Sequence, residues 1–199
     1  MPRLQLITRI NIIRVMAHIT ISVEYGIHCL LFLLNAGEAQ PSSRDLAELQ
    51  GVSPSFVAKI FPRLEKAGIV TANEGVQGGY RLARPAEEIT VLSIVDAIEG
   101  YKPLFACKEI RDRCAVFEGD APTWATDGIC EIHAVMLRAE KSMRDALALE
   151  TLASLAQTLD TKAPKKFGQD VHGWLDSRSK SRRSIRMVQA GNRKSNNKN

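Results

Sequence analysis

Three cysteines and one histidine lie within one stretch of the chain. They are Cys107, Cys114, Cys130 and His133, spaced C-x6-C-x15-C-x2-H. Thiolates and imidazoles bind both zinc and iron–sulfur clusters. A structural zinc loop usually separates paired cysteines by about two to four residues, whereas a cluster tolerates irregular spacing because its thiolates need only converge. The spacing therefore indicates a metal centre and leaves zinc and iron–sulfur both open.

Disulfides are the other common use of cysteine. The chain has four cysteines and no recognisable export signal, and disulfides persist mainly in oxidising compartments. The sequence therefore predicts free thiols and a cytoplasmic location.

Two further candidate metal ligands lie four residues apart near the beginning of the chain. Residues 20–35 predict a first long helix, and Glu24 and His28 fall on one face of it. Such a pair is equally typical of a local surface interaction. Cys29 lies among apolar neighbours, which favours a small buried hydrophobe over a ligand. The expected buried positions of this helix are Val23, Ile27, Leu30, Leu31 and Leu34.

Residues 101–129 carry Cys107 and Cys114 and lack helical or strand periodicity. Long irregular loops in compact domains are usually functional or disordered. A helix capped by Thr90 and closed by Gly100 is predicted before this loop, and a longer helix from Glu131 to about Leu147 is predicted after it. In a monomer the apolar stripe of the later helix would face the core, and it consists of Ile132, Val135, Met136, Ala139, Met143 and Leu147.

The stretch between these candidate ligands, residues 42–84, predicts two short helices followed by a hairpin. The first helix is expected to end at Gly51, because glycine readily takes the left-handed conformation that stops a helix. Ser53 and Pro54 then begin the second helix, since serine caps an orphan N–H group and proline at the first position has no N–H to lose. This pattern is the outline of a winged helix-turn-helix, so the predicted fold class is mainly α with a small β wing.

The second helix separates an apolar side from a polar, basic side. Ser55 and Lys59 on the polar side would reach base edges in a major groove, with Arg63 near the phosphates. The same face would also suit an ordinary solvent-exposed helix. Pro62 predicts either a bend in this helix or its end. The apolar side consists of Phe56, Val57, Ile60, Phe61 and Leu64.

The predicted wing pairs residues 69–71 with residues 80–82. Its connection, residues 73–79, contains glycines that allow positive φ and close approach to a minor groove or a phosphate. The complete set of candidate DNA-binding residues is Ser42, Ser53, Ser55, Phe56, Lys59, Arg63, Gln77, Gly78, Gly79, Tyr80 and Arg81.

The positive net charge comes from one end of the chain. The 199 residues include 27 Lys and Arg and 22 Asp and Glu, which gives +5. Eight of the basic residues lie in residues 177–199, which contain no acid, so the remainder holds 19 basic against 22 acidic residues. Residues 161–199 are therefore predicted to be a basic disordered tail, which either attracts phosphates without sequence preference or only aids solubility.

The remaining composition bounds the architecture. A hydrophobic content of 45% is enough for one core and an appendage. No apolar run reaches the roughly 18 residues of a membrane span, so no membrane partner is expected. Residues 1–15 are predicted to be a poorly ordered extension, with Met16 as an alternative start.

The order of these features resembles the Rrf2 family of bacterial transcriptional regulators. The segments SPSFVAKIFPRLEKAGIV and GGYRLARPAEEIT are close to that family's pattern, and the resemblance covers about residues 16–159. It implies a winged helix-turn-helix over residues 16–100, a cluster loop over 101–130 and a dimerisation helix region over 131–160. It also implies a homodimer that binds a double-stranded DNA operator.

The resemblance implies a [2Fe–2S] or [4Fe–4S] cluster held by Cys107, Cys114 and Cys130, with [2Fe–2S] favoured. The fourth ligand differs between branches of the family. His133 matches the cluster-biogenesis regulators, whereas Glu24 and His28 match a redox-sensing branch in which the first helix of a second subunit contributes. The segment FACKEIRDR favours the second branch, although the last cysteine interval is longer here than in the first.

The predicted function is therefore a DNA-binding regulator controlled by the redox state, nitrosylation or occupancy of an iron–sulfur cluster. A zinc-stabilised regulator without redox sensing is the alternative, followed by a regulator that has lost its cluster and binds a small ligand. The sequence contains no P-loop, no nucleophile elbow and no paired-acid motif, so neither an enzyme nor a small-molecule substrate is expected.

Overall fold

The computed structural model describes residues 19–73 and 78–196, and it describes side chains up to Arg182 and at Ser184. Gln77, residues 1–15 and the alternative start at Met16 lie outside the described residues. The fold is mainly helical with one small antiparallel sheet, as the sequence predicts. The elements are α1 Ile21–Leu34, α2 Ser43–Gln50, α3 Pro54–Lys66, β1 Val70–Asn73, β2 Gly79–Leu82, α4 Val91–Glu99, α5 Thr123–Thr126, α6 Glu131–Leu149, α7 Leu152–Lys162 and α8 Lys166–Asn196.

Helices α1 to α4 and the sheet surround the main core. Its largest fully buried side chains include Phe61, Leu30, Leu46, Leu64 and Ile69. Helix α7 is tied to this core at its first turn, where Leu152 is buried and donates its N–H to the carbonyl of Ile89 at 2.8 Å. The helix-turn-helix therefore packs against elements that precede and follow residues 101–130, the cysteine loop.

Helix α1 is rotated relative to the sequence prediction. Leu34 is exposed, and Ile27 and Leu31 are only half-buried, so the predicted stripe is wrong at these positions. A Cβ atom at Gly26 would lie 2.5 Å from Cδ1 of Ile98, so α1 and α4 pack closely there. The residues that α1 buries are Val23, Gly26, Cys29, Leu30 and Leu33.

The helix ends show where the local predictions succeed and fail. Gly51 ends α2 in the left-handed region at φ 73°, as predicted. Ser53 occupies the N-cap of α3, but its side chain makes no capping hydrogen bond; its Oγ instead lies 2.9 Å from Oγ of Ser55. Helix α3 continues through Pro62, which is exposed, so the proline does not end the helix.

The C-terminal segment is helical where the sequence predicts disorder for residues 161–199. Helix α7 runs to Lys162 and α8 covers Lys166–Asn196, with Val171 and Leu175 buried. These side chains pack with Ala36 and Ala39 in a second small core. The prediction is wrong because the average composition hides an apolar i, i+3, i+4 set within this segment.

No described helix is long and apolar enough to span a membrane.

Candidate nucleic-acid interface and metal centre

Helix α3 presents the polar face that the sequence predicts. Val57, Phe61 and Leu64 are fully buried in the core. Ser55 and Lys59 are exposed on the opposite side, near the beginning of the helix. A hydroxyl and a flexible ammonium group at these positions match the groups that contact base edges and phosphates in a major groove.

Two other candidate residues of α3 make contacts inside the protein. The ring of Phe56 is half-buried and packs edge-on against Tyr25, with centroids 5.3 Å apart. The guanidinium of Arg63 donates a hydrogen bond to the carbonyl of Ile98, near the end of α4. These contacts join α3, the candidate DNA-reading helix, to α1 and α4.

Ser42 organises the start of α2. Its backbone N–H and its hydroxyl both donate to Oδ2 of Asp45 at 2.7 Å, and its Oγ accepts from the N–H of Asp45 at 3.2 Å. This reciprocal capping box satisfies two orphan backbone donors. Asp45 is only 6% exposed, and it makes a further ion pair with Arg182 at 2.8 Å.

The wing is attached to the body through backbone and ring contacts. Strands β1 and β2 pair antiparallel, and Asn73 lies opposite Gly79. A Cβ atom at Gly79 would lie 2.0 Å from the carbonyl oxygen of Gln40, so only glycine fits there. Arg81 is exposed on the same strand, where its charge faces solvent.

Tyr80 belongs to the packing of the wing as well as to its surface. Its N–H donates to the carbonyl of Pro41 at 2.9 Å, and its ring packs on Phe61 with centroids 4.6 Å apart. Burial raises the pKa of the Tyr80 hydroxyl, and the nearby carboxylate of Glu65 raises it further. The phenol therefore stays protonated and remains a hydrogen-bond donor at neutral pH.

The start of the cysteine loop is fastened to α6 by a buried carboxylate. Glu140 is 6% exposed and accepts hydrogen bonds from the Tyr101 hydroxyl and from the N–H of Leu104, both at 3.0 Å. Buried charge is costly unless such donors satisfy it. These bonds fix the point at which the chain leaves α4 and begins the cysteine loop.

Arg111 joins the two halves of this loop. Its guanidinium donates to three successive carbonyl oxygens, those of Thr126, Asp127 and Gly128, at 3.0–3.2 Å. It also forms a two-point ion pair with Glu109, at 2.6 and 2.9 Å. The segment that follows Cys107 is thereby held against the segment that precedes Cys130.

The Arg111 guanidinium also interacts electrostatically with two of the thiols. Hydrogen bonding to Glu109 raises the pKa of Arg111, and the charges of Cys130 and Cys107 raise it further. Cys107 and Cys130 are half-buried, and the N–H of Glu109 points to Sγ of Cys107 at 3.4 Å. Arg111 is thus a cationic neighbour shared by two of the predicted ligands.

The other predicted ligands differ in their exposure and surroundings. Cys114 is exposed, and Glu24 and His28 are exposed on α1. The His133 ring lies 6.1 Å from the Phe105 ring. Within residues 19–73 and 78–196, no three His, Cys, Asp or Glu side chains are grouped closely enough to hold a metal ion.

Cys29 has the properties of a core residue. It is fully buried, and burial raises the pKa of its thiol to about 12. A thiol that stays protonated is a poor metal ligand. The chemistry of the remaining donors, three loop thiols with carboxylate and imidazole groups, fits a zinc ion or an iron–sulfur cluster.

Sequence comparison identifies the group of proteins that shares this arrangement. The profile of the Rrf2 family, described as iron-dependent transcriptional regulators, matches residues 19–158. The chain belongs to the Rrf2 family of transcriptional regulators. Members of the family regulate transcription by binding DNA, and its relatives are regulators rather than enzymes.

Two sequence relatives of this Rrf2 protein span most of the matched region. Protein rrf2 of Nitratidesulfovibrio vulgaris strain Hildenborough is 34% identical over 138 residues, which cover 69% of this chain and 85% of the relative. A putative HTH-type transcriptional regulator of Mycobacterium tuberculosis is 33% identical over 134 residues, covering 67% and 77%.

Solved structures share the Rrf2 fold. T. potens IscR has a TM-score of 0.54 at 22% identity and covers 74% of this chain and 92% of its own. CymR, the global cysteine regulator of B. subtilis, has a TM-score of 0.52 at 22% identity, covering 70% and 96%. At this level of identity the likeness establishes the fold.

Arg111 and Glu140 of this Rrf2 regulator were not predicted from the sequence. Both belong to segments that carry candidate ligands or the predicted helix 131–147, but their partners are mostly backbone groups, which carry no sequence signature. The one available signal was an arginine between two cysteines, within the segment FACKEIRDR.

Proposed function

We propose that this Rrf2 regulator binds a double-stranded DNA operator and that an iron–sulfur cluster in the cysteine loop controls its affinity. The observation that carries the proposal is Arg111, which holds the Cys107 and Cys130 segments together beside one positive charge. Cys107, Cys114 and Cys130 are the proposed thiolate ligands. When bound, a cluster supplies a centre whose charge and ligation change on oxidation, nitrosylation or loss.

A second copy of the chain is the proposed source of the remaining ligand. The described residues of one chain do not bring three candidate ligands together. We therefore favour Glu24 and His28 of the partner subunit over His133. Both side chains are exposed on α1, as a residue that reaches another subunit must be. [2Fe–2S] is the proposed cluster type.

The same region carries the apolar surface that a homodimer would bury. Ile132 and Val135 are exposed on the first half of α6, and Ile110 and Val116 are exposed in the loop beside it. In contrast, Leu147 of the same helix packs against the main core. The predicted stripe on α6 therefore divides into an inner and an outer part, and we assign the outer part to the dimer.

A continuous set of contacts links the loop to the reading helix. Glu140 holds the loop on α6, and Arg144 of α6 makes a two-point ion pair with Asp96 of α4 at 2.8 and 3.0 Å. Near the end of α4, the carbonyl of Ile98 accepts from Arg63 of α3. We propose that a shift of α6 relative to its partner changes the position of α3 through these links.

Proposed DNA contacts come from the faces described above. Ser55 and Lys59 would contact the major groove, and Arg81 with residues 77–79 would contact the backbone or the minor groove. In a dimer, the two reading heads would face half-sites about one helical turn apart.

Anaerobic purification tests the proposal directly. The holo protein is expected to contain iron and sulfide and to absorb visible light, and its affinity for promoter DNA should differ from that of oxidised and apo protein. A colourless protein that contains zinc would instead favour the zinc-stabilised alternative. Equal affinities of all three forms would remove the sensing role.

A matched pair of cysteine variants assigns the centre to the loop. Cys114→Ala is expected to lose iron, whereas Cys29→Ala, which removes a core thiol, should retain it. Full iron in Cys114→Ala would show that this thiol is not a ligand.

The dimer has a separate test. Ile132→Asp is expected to convert a dimer to a monomer in sedimentation velocity, because it places a charge in the proposed interface. Phe167→Asp changes an exposed phenylalanine at the beginning of α8, outside the predicted dimerisation region, and should leave the dimer intact. A wild-type monomer would contradict the proposed dimer.

A further inference from the structure

Helix α8 lies outside the region that the Rrf2 family profile matches. It nevertheless packs against the DNA-reading half of the molecule, which consists of α1 to α4 and the wing. Its first half buries Val171 and Leu175 against Ala36 and Ala39, the residues between α1 and α2. His172 Nδ1 lies 3.2 Å from the carbonyl oxygen of Asn35. The beginning of α8 is therefore placed at the end of α1.

Two arginines of α8 then contact α2 and the base of the wing. Arg178 pairs with Glu48 at 2.7 Å, and one turn later Arg182 pairs with Asp45 at 2.8 Å. Arg182 also donates to the carbonyl of Gln40 at 2.8 Å and to that of Gly78 at 3.5 Å. Gly78 directly precedes β2, so α8 reaches the base of the wing at Arg182.

The charge pattern of α8 changes at this point. Before Arg182, basic side chains have acidic partners: Lys166 with Asp170, Lys180 with Asp176 and Arg178 with Glu48. Residues 183–196 contain Arg183, Arg186, Arg193 and Lys194 and no acidic residue. Helix α8 continues to Asn196, so about 21 Å of basic helix follows the contact with the wing, at about 1.5 Å per residue.

We infer that residues 183–194 of α8 form a further DNA-contacting element, which binds phosphates of the duplex beside the wing. The inference rests on the DNA binding of the proposed function. Arg178 and Arg182 anchor α8 to α2 and to the base of the wing, and the same helix continues as backbone through these basic residues. Contacts to phosphates add affinity and salt dependence without base specificity.

The test compares two triple variants that each remove three positive charges. Arg186→Gln, Arg193→Gln and Lys194→Gln neutralise the basic end of α8. Lys162→Gln, Lys165→Gln and Lys166→Gln neutralise the segment from the end of α7 to the first residue of α8. Lys166 lies about 24 Å before Arg182 along the helix axis. Glutamine favours helix about as well as lysine and arginine, so both variants should retain the helical circular dichroism of the wild type.

The probe is a fluorescent DNA duplex of mixed sequence, about 40 base pairs long. It is therefore longer than two half-sites about one helical turn apart. Its dissociation constant is measured by anisotropy over a series of salt concentrations. The slope of log Kd against log salt is expected to fall by about 0.9 for each lost phosphate contact in the first variant, with Kd about tenfold weaker at low salt. The control variant should match the wild type within about twofold.

The outcomes separate the inference from the function it depends on. If the wild type binds with a salt-dependent Kd and the first variant keeps the same slope, the basic end of α8 does not contact DNA, and the winged helix remains the reading element. An equal loss in both variants would also overturn the inference, because only net charge would matter. A wild type that binds no duplex overturns DNA binding itself.

Discussion

The DNA-reading half is stabilised mainly by buried apolar side chains, whereas the cysteine loop is held mainly by polar contacts. In the first, Phe61, Leu46 and Leu64 are fully buried, and each helix packs against its neighbours. In the second, Trp124 is 76% exposed and Val116 is 78% exposed. The loop is held by polar groups, Glu140 at its start and Arg111 across its middle. One region is thus complete within a single chain, whereas the other has the surface of a part that needs a partner or a ligand.

The largest expected effect separates a core aromatic residue from a loop aromatic residue. Phe61→Ala should lower the free energy of unfolding by about 3–5 kcal/mol, because it leaves a cavity between α3 and the wing. Trp124→Ala should cost about 1 kcal/mol or less, since its ring contacts mainly Phe117 at 5.9 Å. Urea unfolding measures both, and similar costs would end the contrast between the regions.

A smaller effect is expected where α8 is fastened to the reading half. Arg182→Ala should lower the free energy of unfolding by about 2 kcal/mol, because the carboxylate of Asp45 stays buried without this cation. Arg178→Ala is the control: Arg178 and Glu48 are 48% and 37% exposed, so their pair should contribute less than about 1 kcal/mol. Equal costs would mean that burial does not distinguish the two pairs.

Thiol reactivity gives the third contrast, between Cys29 in the core and Cys114 in the loop. With a pKa raised to about 12, Cys29 is protonated throughout the neutral range, and it gains thiolate only as the pH approaches that value. At pH 8, alkylation of Cys29 in the folded apo protein should be at least about tenfold slower than that of Cys114. Mass spectrometry over time measures both rates, and protection of Cys29 should disappear in urea.

The smallest expected effect concerns the support of the metal centre. Arg111→Ala removes the bonds to three carbonyl groups, so the iron bound per chain after anaerobic reconstitution should fall by about half while the melting temperature changes little. Arg111→Lys should restore part of the iron, because one ammonium group reaches fewer carbonyls. Arg113→Ala is the control, since Arg113 is exposed two residues further along the chain. Full iron in Arg111→Ala would show that the loop holds its shape without this residue.

The local features of the helix-turn-helix were predictable because each depends on neighbouring residues. Gly51 ends α2, the hydrophobic spacing defines α3, and the wing pairs as expected. The rotation of α1 was not predictable, because it depends on the approach of Gly26 to Ile98, residues far apart in the chain. The order of α8 depends in the same way on an apolar pocket formed by Ala36 and Ala39.

The sequence by itself determined the family, the reading helix and the presence of three thiols in one loop, since residue type and short-range spacing are enough for these. Only the tertiary structure decided that Arg111 joins the two halves of that loop, and that Arg182 brings the C-terminal helix to the wing. Both arginines bind backbone carbonyls, and every residue has a carbonyl. The partners of such a side chain are therefore set by the path of the folded backbone, which no local pattern records.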